Sequence, residues 1–208
     1  MGDAIKLTLC LLLILCMSPS SPAVAAPVPD EADAVPAVQA ENAILMDVDS
    51  KRVLFEKNAD EPKAVASITK IMTAILAIEY GHLGDIVVVS PKASRMEGSS
   101  IYLRPGERVT LETLLYGLML RSGNDAAVAI AEHLAGSEED FVELMNMKAW
   151  ELGMSHTHFA NPHGLDEEGH YSTARDMALL SAYALKNPIF QEIVKTKKKR
   201  VSWPGEQW

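Results

Sequence analysis

The sequence predicts an α+β fold, and three observations carry that prediction. Two short apolar runs face each other across a turn near residue 50, a series of segments with helical periodicity follows Pro62, and the composition suits one globular domain. With 208 residues, 48% hydrophobic and 23% charged, the chain can bury a core of ordinary size and is not of disordered composition.

Residues 42–49 (NAILMDVD) and 52–56 (RVLFE) read as strands joined at Ser50-Lys51 into a hairpin. Residues 67–80 (SITKIMTAILAIEY) carry apolar side chains at three- and four-residue spacing and stop at Gly81, which predicts a helix. A short strand is expected at 86–89. Helices are expected at 111–120, capped by Thr110, and at 125–134, capped by Asn124. Ser137-Glu138-Glu139-Asp140 has the form of a capping box opening a helix over 141–152, which Gly153 closes. Thr173 to Asp176 repeats that signal before a helix at 177–185, with Asp176 expected to cap it. No internal repeat is visible. A two-stranded hairpin cannot shield both of its edges. The expectation is therefore a largely present helical subdomain beside an incomplete antiparallel sheet, represented by the N-terminal hairpin only.

The N-terminus indicates where the protein works. Lys6 precedes an almost unbroken apolar stretch over residues 7–17, and Ser18, Pro19, Ser20, Ser21 and Pro22 break it. Ala23-Val24-Ala25 then supplies the small-x-small pattern of a cleavage site. The apolar run is too short to span a bilayer comfortably, so residues 1–25 read as a secretory signal cleaved near Ala25. Localisation is thus expected to be extracytoplasmic. Residues 26–40 read as a flexible lead-in, and 41–208 as the folded portion. Both cysteines, Cys10 and Cys16, fall inside the leader. The mature chain then has no disulfide, cysteine nucleophile or thiolate ligand. Leu15 stands before Cys16 where lipoprotein processing wants a small side chain. The net charge of −9 argues against nucleic acid or anionic lipid as a partner.

Chemistry concentrates in two motifs. Ser67-Ile68-Thr69-Lys70 is an S-x-x-K opening an apolar helix, and a spacing of three puts hydroxyl and amine on one face. Serine needs a base within hydrogen-bond reach, and a lysine can serve when burial disfavours its ammonium form. Taken alone the pattern is common, and a capping serine with a solvated lysine accounts for it equally in kind. Ser122-Gly123-Asn124 lies between two predicted helices, in a tight loop able to project a hydroxyl and an amide toward that pair. Ser122 would relay a proton to a leaving amine, and Asn124 would hydrogen-bond Lys70 and a substrate carbonyl.

On these residues the sequence resembles the serine penicillin-recognising enzymes, and within them the D-alanyl-D-alanine carboxypeptidases of low molecular mass. A third stretch is similar to the same family: Phe159-Ala160-Asn161-Pro162-His163-Gly164-Leu165, followed by His170-Tyr171-Ser172-Thr173-Ala174-Arg175-Asp176. The resemblance implies the β-lactamase/DD-peptidase (transpeptidase-like) fold and no cofactor or metal. It implies Ser67 as acyl-ester nucleophile, Lys70 as general base, Ser122 as proton relay and Asn124 as an orienting group. Gly164 and Leu165 would line the substrate cleft, while His163, Arg175 and Asp176 would be structural. The implied partners are peptidoglycan stem peptides ending in D-Ala-D-Ala and β-lactam antibiotics.

The sequence also departs from the family. It contains Lys195-Thr196-Lys197 but no Lys-Thr-Gly, and the lookalike sits in a basic run from Lys195 to Arg200 that reads as a solvated face. The family's third motif supplies a carboxylate-binding lysine and the second oxyanion donor. The expectation is an incomplete fragment or a truncated product, with membrane anchoring only through a missing C-terminal segment, if at all. A catalytically inactive peptidoglycan-binding remnant is the first alternative. A class A β-lactamase-like hydrolase is the second, although it would carry Ser-Asp-Asn in place of Ser122-Gly123-Asn124. A zinc site on His156, His158, His163 and His170 is a third.

Overall fold

The computed structural model describes residues 37–203 and 206–207. The expected leader, and the lead-in as far as residue 36, lie outside the described residues. The chain enters a hairpin of β1 (Ala43–Met46) and β2 (Val53–Lys57), antiparallel, with a bulge between Leu45 and Met46. Its turn is built by Asp47, whose carboxylate accepts the Ser50 N–H at 2.8 Å and the Ser50 hydroxyl at 2.5 Å. Those two bonds hold the Asp47 carboxyl below the usual carboxylate range. Lys51 completes the turn at φ +57°. β1 is shorter than expected because Asp47 and Asp49 are spent on the turn, while β2 keeps its five residues one position further on.

Six α-helices follow among the described residues: α1 (Lys70–Tyr80), α2 (Leu111–Arg121), α3 (Asn124–Ala135), α4 (Glu138–Glu151), α5 (Ala174–Ala184) and α6 (Pro188–Lys195). Three expected caps are in place. Thr110, Ser137 and Thr173 each accept a hydrogen bond from the backbone N–H three residues on, at 3.2, 3.0 and 3.1 Å. Asp176 is therefore not the cap of α5. Its carboxylate accepts from His156 N–H and the Thr157 hydroxyl, both at 2.8 Å, and so pins a distant loop. Asn124 is not a cap either. Gly123 takes that position with no side-chain bond, and Asn124 is the first helical residue.

The core surrounds α1 and α3. Met72, Ala74, Ile75, Leu76 and Ala77 of α1 are buried, as are all residues from Ala126 to Ala131 of α3. Burial of every side of a helix marks it as central, and alanines let its neighbours approach. Helices α1, α2 and α4 pack on α3, and α5 packs on β1. Arg175 at the start of α5 reaches Asp60 at 2.7 Å and Glu56 at 2.5 Å, tying α5 to the hairpin's end.

The sheet content differs from expectation. Beside the hairpin stand two further antiparallel pairs, β3 (Ile86–Val88) with β4 (Arg108–Thr110), and β5 (Ser202–Trp203) with β6 (Glu206–Gln207). β3 is the short strand expected at 86–89, one residue shorter; its partner β4 and the two-residue β5 and β6 are too short to show a period, and β4 lies far from β3 in sequence. No third strand joins β1 or β2 among the described residues. None of the described helices is long and apolar enough to cross a membrane.

Phe141 of α4 is fully buried whereas Trp150, on the same helix, is 83% exposed. Phe141→Ala is expected to lower stability by about 3–5 kcal/mol, and Trp150→Ala by under about 0.5 kcal/mol. Urea unfolding followed by circular dichroism checks both.

Candidate active site

The Ser67 turn differs from expectation in a way that matters. Residues Ala66–Thr69 form a 3-10 turn, and the α-helix proper begins at Lys70. Ala66 takes φ +35°, a region costly for a residue with a Cβ. The strain is imposed from across the site. A Cβ placed on Gly164 would lie 1.9 Å from the Ala66 carbonyl oxygen and 3.0 Å from Thr69 Oγ1. The two backbones touch, and only glycine, here at φ +84°, permits it. Gly164 thus serves close backbone packing beneath the nucleophile's turn.

Ser67 and Lys70 meet as the spacing predicts. Lys70 Nζ donates to Ser67 Oγ at 3.4 Å and to the His163 carbonyl at 2.5 Å. Ser67 faces solvent, while Lys70 is only 2% exposed. Burial without a carboxylate partner pulls the Lys70 amine down from 10.5 to about 8. At neutral pH about a tenth of it is then a free base. This is a hydroxyl with an amine behind it that is able to accept its proton.

The loop after Phe159 closes this arrangement from the other side. Thr73 Oγ1 donates to the Pro162 carbonyl at 2.6 Å, one residue before the carbonyl that holds Lys70. Asn161 Oδ1 accepts from Gly164 N–H at 2.7 Å, and its amide donates to the Leu165 carbonyl and Glu167, both at 2.9 Å. His163 lies beneath the loop, with Nδ1 accepting from Leu165 N–H at 3.1 Å and Nε2 3.4 Å from Glu138. Burial would raise the Glu138 carboxyl, but hydrogen bonds from His163 and Lys92 outweigh it and hold it low. The functional atom of His163 is its carbonyl, which the side chain's identity does not announce.

Ser122 and Asn124 are placed differently from each other. Ser122 ends α2 in the left-handed region, at φ +57°, and its buried Oγ has no hydrogen-bond partner among the described residues. The bond expected from Asn124 to Lys70 is not formed. Asn124 Nδ2 donates instead to the Glu97 carbonyl at 2.7 Å, and its N–H to the Ser99 carbonyl at 2.7 Å. Asn124 thereby holds the 97–103 loop, which the neighbouring Asp125 also grips by accepting from Ser100 Oγ and from the N–H groups of Ile101 and Leu103 at 2.6 to 3.1 Å. Leu165 borders that loop, 3.8 Å from where a Gly98 Cβ would stand. The three motifs are thus linked in space: Ser67-Lys70 to residues 163–164, and Leu165 through Gly98 to Asn124.

The four histidines do not form a metal centre, because no group of three or more potential ligands converges among the described residues. Lys195-Thr196-Lys197 ends α6, and the lysines after it are exposed as expected. Lys199 pairs with Glu112 at 3.2 Å and lies over the Tyr116 ring.

The fold, a helical core beside an antiparallel hairpin, is that of solved D-alanyl-D-alanine carboxypeptidases and penicillin-binding proteins. The structure superposes on D-alanyl-D-alanine carboxypeptidase DacD from Francisella tularensis with a TM-score of 0.79 at 34% identity, over 86% of this chain and 45% of that one. It superposes on penicillin binding protein 5 from Haemophilus influenzae with a TM-score of 0.76, over 83% and 52% of the two chains, also at 34% identity. In sequence it is 49% identical to D-alanyl-D-alanine carboxypeptidase DacF of Bacillus subtilis over 153 residues, 71% of this chain and 39% of that protein. The family model described as D-alanyl-D-alanine carboxypeptidase matches residues 29–208, and the chain belongs to that family. It spans about two-fifths to a half of the length of such curated relatives.

Gly164→Ala is expected to displace the Ala66 backbone and destabilise the protein by more than about 2 kcal/mol. Gly153→Ala, at φ +75° but with open space around it, should cost about 1 kcal/mol. Thermal melts of the two variants test the contrast.

Proposed function

We propose that this chain carries the acylating half of a serine-type D-alanyl-D-alanine carboxypeptidase, exported to the cell envelope, whose substrate is the D-Ala-D-Ala end of a peptidoglycan stem peptide. The observation that carries the reading is the Ser67–Lys70 pair, a solvent-facing hydroxyl 3.4 Å from a buried amine whose pKa is near 8. Ser67 Oγ attacks the penultimate D-alanine carbonyl while Lys70 Nζ takes its proton. The backbone N–H of Ser67 is one donor to the oxyanion. Ser122, whose buried hydroxyl has no partner among the described residues, passes the proton to the departing D-alanine amine. Water then hydrolyses the ester on Ser67, with Lys70 again as base. A β-lactam would acylate the same oxygen and leave more slowly.

The sequence holds no Lys-Thr-Gly, the source in this family of substrate-carboxylate binding and of a second oxyanion donor. Without one such donor acylation slows by about 10² to 10³-fold. A fluorescent penicillin in excess is expected to label the chain slowly and stoichiometrically, and to leave Ser67→Ala unlabelled. Equal labelling of the two would remove Ser67 as nucleophile. No labelling, with stem peptide still bound, would establish a binding remnant in place of an acylating enzyme.

The pH dependence follows from the amine. Lys70 must be neutral to accept the proton, and its pKa is depressed to about 8. The labelling rate should therefore rise about tenfold per pH unit from pH 6.5 to 7.5 and level off above about 8.5. A flat profile across that range would exclude Lys70 as the base.

A further inference from the structure

His170 is buried, 6% exposed, and both ring nitrogens are engaged. Its Nδ1 accepts the Ala160 N–H at 3.0 Å, so in the neutral ring the proton is on Nε2. Nε2 then donates to Thr69 Oγ1 at 2.8 Å. Thr69 lies between Ser67 and Lys70, and Ala160 opens the loop whose His163 carbonyl holds Lys70. One imidazole therefore joins the turn bearing the nucleophile to the loop bearing the acceptor of the base. The Phe159 ring lies against it, tilted by 58° at 5.8 Å between centroids.

We propose that His170 is a positioning residue for the Ser67–Lys70 pair, a clamp between Thr69 and Ala160 that holds only while its ring is neutral. The proposal rests on the reading of that pair as the reacting groups. A protonated ring has two N–H donors and no acceptor, so it must surrender the Ala160 bond. Surrounding groups keep it neutral near pH 7. Burial and the neighbouring His163 push the His170 pKa down, Glu167 pulls it up, His158 lowers it and Asp166 raises it, with the balance downward. From the nucleophile's side the facing groups are Thr69 and Lys70, whose ammonium points to the His163 carbonyl. For a base with a depressed folded pKa, the unfolded chain takes up its proton first. The stability that the neutral clamp brings is therefore complete above the unfolded value of about 6.5 and is lost as pH falls from there, while in the folded protein the clamp itself opens only as pH falls through the lowered His170 pKa.

Glutamine separates clamping from titration, since its amide can donate to Thr69 and accept from Ala160 without changing charge. In His170→Gln, penicillin labelling per folded molecule at pH 8 should stay within about threefold of the parent. In His170→Ala it should fall by on the order of 100-fold through misplacement of the pair. Thr69→Val removes the clamp from the opposite side without altering the histidine, and should show the same loss if His170→Ala does not fold. As pH falls through the lowered His170 pKa the parent's rate should drop more steeply than one proton allows, while the glutamine variant keeps the one-proton slope set by Lys70. A second measurement needs no activity: the Lys70 amine is titrated by NMR of the chain with 13C-labelled lysine. Its midpoint should stay near about 8 in the parent and in His170→Gln, and move toward 10.5 in His170→Ala or Thr69→Val as water reaches the amine. If the parent is never labelled yet these midpoints shift as stated, the acyl-transfer reading fails and the clamp stands. Unchanged Lys70 midpoints in both clamp-breaking variants, or a glutamine variant as impaired as the alanine one, would overturn the clamp.

Discussion

A lysine amine kept out of water with a backbone carbonyl and a serine hydroxyl as its partners organises this molecule. Burying an ammonium without a carboxylate is unfavourable by several kcal/mol, and Lys70 meets that condition. The fold relieves it in two ways. The His163 carbonyl is turned inward to accept from Nζ, and the amine's proton affinity falls until loss of the proton is accessible near neutral pH. Everything around the 161–165 loop serves that carbonyl. Asn161 closes the loop on itself, Thr73 holds the preceding carbonyl, and Gly164 lets the loop backbone lie against Ala66. The strained Ala66 conformation follows from the same contact, because the turn bearing Ser67 has to clear the loop that holds Lys70.

A second group of interactions holds the opposite wall. Asp125 is 1% exposed and has four donors within reach from Ser100, Ile101, Leu103 and Ala126, which distributes its charge over the loop it supports. Tyr102 stays at φ +61°, an uncommon conformation for a bulky residue, because the residues on both sides of it are bound to one carboxylate. Asn124 adds the Glu97 and Ser99 carbonyls. Two consecutive residues at the start of α3 therefore shape a loop more than twenty positions earlier. They can do so because α3 itself is immobilised by burial on all sides.

What the sequence disclosed is what is encoded locally. The Ser67–Lys70 contact follows from one helical turn, and the caps at Thr110, Ser137 and Thr173 follow from side chains that reach their own backbone. The misses have the opposite character. Asn124 looked like a cap and a ligand of Lys70, but the backbone of residues 97–99 claimed its amide across a long loop. Asp176 looked like a cap and instead binds residues 156–157. The 3-10 start of the nucleophile's turn lies against Gly164, nearly a hundred residues away, and β3, itself expected, finds its partner in β4, a strand too short and too distant in sequence to show. His163 acts through a carbonyl that every residue possesses. The family resemblance located its loop, but the atom that matters is fixed only by tertiary structure.

Ser122 shows how the same logic extends to a hydroxyl with no partner among the described residues. A buried hydroxyl left unsatisfied costs about 1–3 kcal/mol, and native structures tolerate few. Here the hydroxyl belongs to the residue that ends α2 in a left-handed conformation, between the buried faces of α2 and α3. The Oγ atom is buried although the residue as a whole is only partly so. Lys70 and Ser122 both withhold a polar group from water: the amine has two neutral acceptors and no carboxylate, and the hydroxyl has no partner among the described residues. On the acyl-transfer reading, a reacting peptide brings the work of both groups: Lys70 takes the Ser67 proton as negative charge develops on the carbonyl oxygen, and Ser122 relays a proton to the leaving amine.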